Sequence, residues 1–115
     1  MNILYGIANC DTVKKSRVWL DDQGVAYTFH DFKKLGVPAD ALDGWMAALG
    51  WEALVNKKGT TWRKLSVAEQ TAVVDDASAK ALMLAHASVI KRPVVVMGSG
   101  AGMKVSAGYC PQLWT

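Results

Sequence analysis

Residues 5–17, which read YGIANCDTVKKSR, decide how this chain folds. They continue an apolar run that begins near the N-terminus, and this run predicts a buried β-strand over residues 1–7. A helix is predicted to follow from Val13 to Asp22, with a side-chain oxygen of Asp11 or Thr12 capping its N-terminus. Cys10 is therefore expected at a helix N-terminus.

A cysteine in that position is suited to nucleophilic chemistry. The free N–H groups and the helix dipole favour an anion, so the thiolate is expected to form at a lower pH than in free cysteine. Lys14 and Arg17 follow by four and seven residues, on the same helical face, and Asn9 precedes the thiol. The pattern predicts an activated thiolate. The competing interpretation is a small core residue without chemistry.

Composition indicates one globular domain over residues 1–115, because the chain can form a single core and is too short for two. Hydrophobic residues make up 51% and charged residues 20%. The net charge of +3 and the pI near 9.0 mildly favour anionic ligands without indicating nucleic acid. No membrane-spanning stretch and no secretory signal are visible, so we expect a cytoplasmic protein.

The cysteines and histidines of the chain do not suggest a metal site or a disulfide framework. Cys10 and Cys110 lie near opposite ends of the chain, and the histidines are His30 and His86. None of these spacings matches a structural metal centre, so we expect no bound metal.

A second strand is predicted over Val25 to Phe32, where apolar and polar residues alternate from Tyr27 onward. Gly24 is suited to end the preceding helix in a left-handed conformation. The order strand, helix, strand predicts a right-handed crossover and a parallel pair. Cys10 would then lie at the carboxyl end of the first strand, the edge where open α/β sheets bind ligands.

The middle of the chain, about residues 37–88, is predicted to be a helical insertion between the two halves of a sheet. Pro38 fits the first position of a helix that ends at about Leu49. The spacing of Leu42, Trp45, Met46 and Leu49 predicts one apolar face on this helix. A polar basic loop over residues 56–61 leads to Arg63. Further helices are expected from the capping box at residues 66–69 to Val74, and from residue 77 to residue 85.

After this insertion, the β-branched run over residues 94–97 predicts a buried strand. A turn over residues 98–102 and a strand over residues 103–106 would complete a hairpin. The glycine-rich turn opens no helix and lacks the residues of a phosphate loop. Pro93 stands at the strand entrance, where a cis peptide bond is permitted.

Three motifs together resemble the arsenate-reductase-like (ArsC-like) family of the thioredoxin superfamily, which also includes Spx-type regulators. They are residues 5–17, the sequence GTTWRKL at residues 59–65, and IKRPV at residues 90–94. The resemblance covers essentially the whole chain and is closest to a reductase-like branch called YffB-like. It implies a thioredoxin-like α/β fold with a mixed four-stranded sheet and an inserted helical subdomain.

The resemblance also implies roles for individual residues. Cys10 matches the family's nucleophile, Arg63 and Arg92 match two oxyanion-binding arginines, and Pro93 matches a cis-proline facing the cysteine. Glutathione is implied as the co-substrate that resolves the adduct, with a glutaredoxin-type partner restoring the thiol. No tightly bound cofactor is implied, and we expect a monomer.

The chain departs from the family pattern at two places. Lys104 is the only cation between residues 98 and 108, where arsenate reductases have a third arginine, so arsenate is disfavoured as the substrate. Val13 stands where Spx-type proteins have the second cysteine of a C-x-x-C pair, so that redox switch is also disfavoured. Cys110 lies outside the family motif, and a packing role is favoured over a resolving one.

Two functions remain open from the sequence. The first is a glutathione-dependent thiol reductase or thiol transferase with Cys10 beside an anion site, to which Arg63, Arg92, Lys14, Arg17 and Asn9 are assigned. The second is a non-catalytic, Spx-like binding or regulatory module. Its support is the basic pair Lys57-Lys58 and three candidate surface tryptophans, Trp51, Trp62 and Trp114.

Overall fold

The computed structural model describes residues 2–98 and 103–114. Within them lies one mixed sheet with the strand order β2-β1-β3-β4. Its strands are β1 (Ile3–Gly6), β2 (Thr28–Asp31), β3 (Val94–Met97) and β4 (Lys104–Ala107). β1 is parallel to β2 and antiparallel to β3, and β3 is antiparallel to β4. The predicted mixed four-stranded α/β sheet is confirmed. Most of the predicted hairpin turn, residues 99–102, lies outside the described residues.

The chain divides into two compact units, Met1–Leu35 with Arg92–Thr115, and Gly36–Lys91. The first contains the sheet and the helix α1 (Asp11–Asp22). The second contains the segment predicted to be a helical insertion. That all of these residues form a single domain stays a prediction.

One face of the sheet packs against α1 to form the core of the first unit. Its buried members are Leu4, Val13, Leu20, Val95 and Trp114, each no more than 1% exposed. Trp114 follows the 3-10 turn Pro111–Leu113, and its indole Nε1 donates a hydrogen bond to Ser106 Oγ at 2.9 Å. This bond supplies the partner that a buried indole N–H needs and fixes the C-terminal segment against β4.

The predicted limits of the second strand were too wide. Val25 N donates to Leu20 O at 3.0 Å, so this residue still belongs to the end of α1. After Asp31 the short helix α2 (Phe32–Leu35) begins, so Phe32 is helical and not part of the strand. Asp31 Oδ1 accepts the Lys33 N–H at 2.9 Å. Such a local side-chain bond competes with strand pairing and favours the turn.

The second unit consists of short helices. They are α3 (Ala39–Leu49), α4 (Trp51–Leu54), α5 (Thr60–Lys64), α6 (Val67–Thr71) and α7 (Asp76–Ala85). The predicted apolar face of α3 is confirmed, since Leu42, Trp45 and Met46 are buried. Capping boxes begin α6 at Ser66 and α7 at Asp75.

Three boundaries in the second unit differ from the predictions. Pro38 is the N-cap of α3 rather than its first helical residue. The basic loop is shorter than expected, because α5 begins at Thr60 and carries Arg63 on its last turn. α6 ends at Thr71, before the predicted Val74. None of the helices described in either unit is long and apolar enough to cross a membrane.

Gly6, the last residue of β1, allows the strand to lie directly against α1. A Cβ atom added at Gly6 would lie 2.7 Å from Cγ2 of Val13, which is closer than side-chain atoms pack. Val13 is fully buried and its β-branched side chain is stiff at χ1, so it has little room to move. The absence of a side chain at Gly6 therefore sets the distance between β1 and the first turn of α1.

We expect Gly6→Ala to lower the free energy of unfolding by about 1–3 kcal/mol, the usual cost of overpacking a core. Urea denaturation followed by circular dichroism measures the change. Gly44→Ala is the control, because Gly44 lies within α3 with nothing within 4 Å of an added Cβ. There alanine should be neutral or stabilise by up to about 1 kcal/mol. Equal stabilities of Gly6→Ala and the wild type would contradict the close approach.

Candidate functional site

The candidate site is built on a turn that joins β1 to α1. Cys10 N donates to Ile7 O at 3.2 Å, which closes the turn over the exposed residues Ala8 and Asn9. The Cys10 carbonyl already accepts the Lys14 N–H at 2.9 Å, so Cys10 is the N-cap of α1. The predicted side-chain cap by Asp11 or Thr12 is wrong. Helix α1 begins at Asp11, earlier than predicted, so both residues lie inside its first turn.

The environment of the Cys10 sulfur favours the thiolate. Partial burial of the thiol raises its pKa, but this effect is outweighed. Hydrogen bonds from the Val13 N–H and from the side chain of Arg92, the charge of Arg92, and the Thr12 N–H together hold the pKa of Cys10 below its ordinary value. The sulfur thus stands where a side-chain oxygen normally caps a helix, although its contacts fall short of a conventional capping hydrogen bond.

Arg92 reaches the sulfur because of the register of the sheet. Val94 of β3 lies opposite Tyr5 of β1, so continuing the antiparallel register brings Arg92 opposite Ile7, where the turn to Cys10 begins. The peptide bond between Arg92 and Pro93 is cis, the geometry that the family resemblance implies at this position. Pro93 is buried, and its carbonyl accepts the Gly108 N–H at 2.8 Å.

Lys14 and Arg17 do not contribute to the lowered pKa of Cys10 as the helical spacing suggested. Lys14 is exposed. Arg17 is half-buried, with its Nε donating to Tyr27 Oη at 3.1 Å and its guanidinium carbon 4.2 Å from the centre of the Phe29 ring. Helical spacing fixed the face of these residues but not the direction of their long side chains.

The other predicted residues occupy different places. Asn9 lies exposed in the turn before Cys10. Arg63 lies exposed on α5 of the second unit, and its assigned role at the anion site stays a prediction. Cys110 is a half-buried free thiol whose Sγ donates to Ala107 O at 3.5 Å.

Sequence reasoning missed the contributions of two kinds of group. The N–H donors of Thr12 and Val13 carry no side-chain signal, and only the position of the helix start reveals them. The aromatic residues that hold Arg17 were visible as the pair Tyr27 and Phe29, which project from the same side of an extended segment. Their alternation was used only to predict a strand.

Chemically, this arrangement provides a nucleophile next to a cation. A thiolate is the reactive form of cysteine in displacement at sulfur and at oxyanions. The planar guanidinium of Arg92 can donate paired hydrogen bonds to a carboxylate or oxyanion near that sulfur. Among the residues described, no three His, Cys, Asp or Glu side chains form a cluster that could hold a metal ion.

Comparisons with known proteins agree with this architecture. The ArsC family model matches residues 5–114. The structure of the YffB (PA3664) protein is 46% identical, with a TM-score of 0.88, covering 97% of this chain and 94% of that one. The structure of an arsenate reductase (ArsC) related protein from Brucella melitensis is 48% identical, with a TM-score of 0.73, covering 96% of this chain and 88% of that one. An uncharacterized protein of Haemophilus influenzae is 36% identical over 101 residues, 88% of each chain. The thioredoxin-like fold is confirmed.

Removing the charge of Arg92 should raise the pKa of Cys10. We expect Arg92→Met to raise the pH midpoint of iodoacetamide alkylation. The midpoint should stay below that of a free thiol, because the N–H groups of Val13 and Thr12 still stabilise the thiolate. Arg92→Lys should retain more of the effect than Arg92→Met. The rate of Cys10 alkylation, followed by peptide mass spectrometry between about pH 5 and 10, gives the midpoint, and in the wild type it should lie below that of a free thiol, about 8.5.

Lys15→Met is the matched control for that experiment. Lys15 is a cation on the same helix, but its Nζ lies 4.2 Å from the centre of the Tyr109 ring and does not act on the sulfur. The alkylation midpoint should not move in this variant. An equal shift in Lys15→Met and Arg92→Met would show a general charge effect and contradict the specific role of Arg92.

Proposed function

This chain belongs to the ArsC family, and we propose that it is a thiol-dependent reductase or thiol transferase that uses Cys10 as its single nucleophile and glutathione as its reductant. The observation that carries the proposal is the lowered pKa of Cys10 at the N-cap of α1 beside Arg92. A structural cysteine has no need of these groups, whereas a nucleophile does, because they increase the fraction of thiolate near neutral pH.

The proposed reaction proceeds in two exchanges. The Cys10 thiolate attacks a disulfide between glutathione and a substrate thiol, forms a bond to the glutathione sulfur and releases the substrate as a thiolate. A second glutathione thiolate then attacks this mixed disulfide, which releases oxidised glutathione and regenerates the Cys10 thiolate. The sum of the two exchanges consumes one reduced glutathione: the mixed disulfide between substrate and glutathione becomes a free substrate thiol and oxidised glutathione.

Arg92 is proposed to bind the anionic part of the substrate or co-substrate near the sulfur. Its guanidinium also stabilises the Cys10 thiolate that leaves in the second exchange, because a nearby cation lowers the pKa of a thiol. Arg63 is proposed to add to this anion binding on the strength of the family resemblance. Arsenate stays disfavoured, because Lys104 replaces the third arginine and lysine cannot bind an oxyanion through a planar fork.

A glutaredoxin-type protein is proposed as an alternative to the second glutathione, reducing the mixed disulfide at Cys10 and so restoring the thiol. No tightly bound cofactor is needed for the two exchanges, because both redox partners are thiols. Cys110 is not assigned a resolving role, since its S–H group already donates to a local carbonyl oxygen. The protein is proposed to act as a monomer in the cytoplasm.

A second candidate function is a binding module, and one feature of the second unit favours it. Lys57 Nζ lies 5.7 Å and 5.5 Å from the ring centres of Trp51 and Trp62, so a cation and two half-buried indoles share one surface. Trp114, the third tryptophan suggested for this function, is buried and does not support it. The lowered pKa of Cys10 has no explanation in such a module, so the enzyme is preferred.

The test of the proposed function is the reaction of the protein with oxidised glutathione. Wild type should form a mixed disulfide at Cys10, found by mass spectrometry of the intact protein and its peptides, and reduced glutathione should remove it. Cys110→Ser is the matched control and should behave like the wild type, whereas Cys10→Ser should lose turnover of a glutathionylated peptide. An adduct at neither cysteine, together with a stable partner retained by Cys10→Ser, would support the binding module instead.

A further inference from the structure

A depression next to the turn between β1 and α1, which carries Cys10, has the size and charge of a small-ligand site. Its volume is about 360 Å³, within the usual range for ligand pockets of about 300–1,000 Å³. It lies entirely within the first unit. Its lining residues are Ala8, Arg17, Phe29, Asp31, Lys34 and Leu35.

Arg17 is held in this depression in a way that suits ligand binding. Its Nε donates to Tyr27 Oη, and the face of its guanidinium rests on Phe29, so the group is fixed before any ligand arrives. No carboxylate in residues 2–98 or 103–114 forms an ion pair with it, although Asp31 lines the same depression. A fixed guanidinium with its terminal N–H groups left for another acceptor binds a carboxylate at low entropic cost.

The depression contains charges of both signs. Lys34 is exposed at its edge and adds a second cation. Asp31 is only 8% exposed, and its Oδ1 is already used by the Lys33 N–H, which fixes the carboxylate. A simple phosphate or sulfate would meet Asp31 as a like charge. A ligand with a carboxylate and an ammonium group on one carbon would match all three residues.

The distance to the reacting sulfur fits a short peptide. Ala8 and Cys10 belong to the same turn, so their Cα atoms are at most about 7 Å apart. A dipeptide to tripeptide spans about 7–11 Å when extended. Arg17 follows Cys10 by about two helical turns, or about 10 Å along the helix axis, and its side chain lines the same depression as Ala8.

We propose that this depression binds the γ-glutamyl end of glutathione, with Arg17 and Lys34 holding its α-carboxylate and Asp31 holding its α-ammonium group. The proposal rests on the proposed function, because it places the co-substrate of Cys10. The glycine end of glutathione carries a carboxylate but no free ammonium group, so it lacks a partner for Asp31. The γ-glutamyl end therefore occupies the depression while the central cysteine lies toward Cys10.

Two ligands without a free thiol separate this site from the chemistry of Cys10. They are S-methylglutathione and S-methylcysteinylglycine, which lacks the γ-glutamyl group. Titration of the wild-type protein, followed by the amide signals of isotope-labelled protein in NMR spectra, should show at least five-fold tighter binding of S-methylglutathione. Cys10→Ser should give the same ratio, because neither ligand exchanges with the thiol.

The variants change one charge at a time. Lys34→Ala and Asp31→Asn should each reduce the preference for S-methylglutathione at least three-fold, and the amide introduced by Asp31→Asn retains an oxygen that accepts the Lys33 N–H. Lys33→Ala is the matched control: it removes a neighbouring exposed cation outside the depression and keeps the backbone N–H, so the preference should stay as in the wild type. Arg17→Lys should weaken binding, because lysine keeps the charge and loses the planar fork.

The outcomes distinguish this proposal from the proposed function. Equal affinity for the two ligands, no measurable binding of S-methylglutathione, or the same loss in Lys33→Ala as in Lys34→Ala would each overturn the γ-glutamyl site. Formation of the Cys10 mixed disulfide would then still support the thiol chemistry. A preserved preference for S-methylglutathione without any Cys10 adduct would instead support the site and contradict the reductase.

Discussion

The proposed chemistry depends on one interaction, the stabilisation of a negative sulfur at the N-terminus of α1. The N–H groups of Val13 and Thr12 supply fixed partial charges, and Arg92 supplies a full charge and a hydrogen bond. These groups come from two distant parts of the sequence. They meet because β1 and β3 pair directly, with Tyr5 opposite Val94. The sheet register thus brings Arg92 to the half-buried thiol and contributes to the lowered pKa of Cys10.

The packing around α1 serves the same purpose. Gly6 lets β1 lie directly against Val13, so the helix start cannot shift away from the strand end without opening a gap in the core. Trp114 closes the other end of that core through its bond to Ser106. Neither Gly6 nor Trp114 is among the groups that lower the pKa of Cys10. Both hold the helix whose first N–H groups stabilise the thiolate, and this links the stability of the first unit to the reactivity of Cys10.

The sequence was informative wherever a local pattern determines a local structure. The capping box at Ser66, the apolar face of α3 and the parallel pair β1 and β2 all followed from short-range spacing. It failed where a tertiary contact or a turn competes with propensity, as at the start of α1 and at Phe32. Cys10 was identified from its neighbours, but the partners of its sulfur were only partly predicted, since Arg92 required a family resemblance. The restraint of Arg17 by Tyr27 and Phe29 depends on side-chain directions that spacing does not fix.

The most direct test of the central claim is the titration of Cys10 itself in folded and unfolded protein. With isotope-labelled cysteine, the Cβ signal of Cys10, assigned by its loss in Cys10→Ser, reports thiol ionisation in NMR spectra across the pH range. Folding lowers the pKa of Cys10, so the inflection should occur at a lower pH in the native protein than in urea. An inflection at the same or a higher pH in the native protein would show that folding does not stabilise the thiolate.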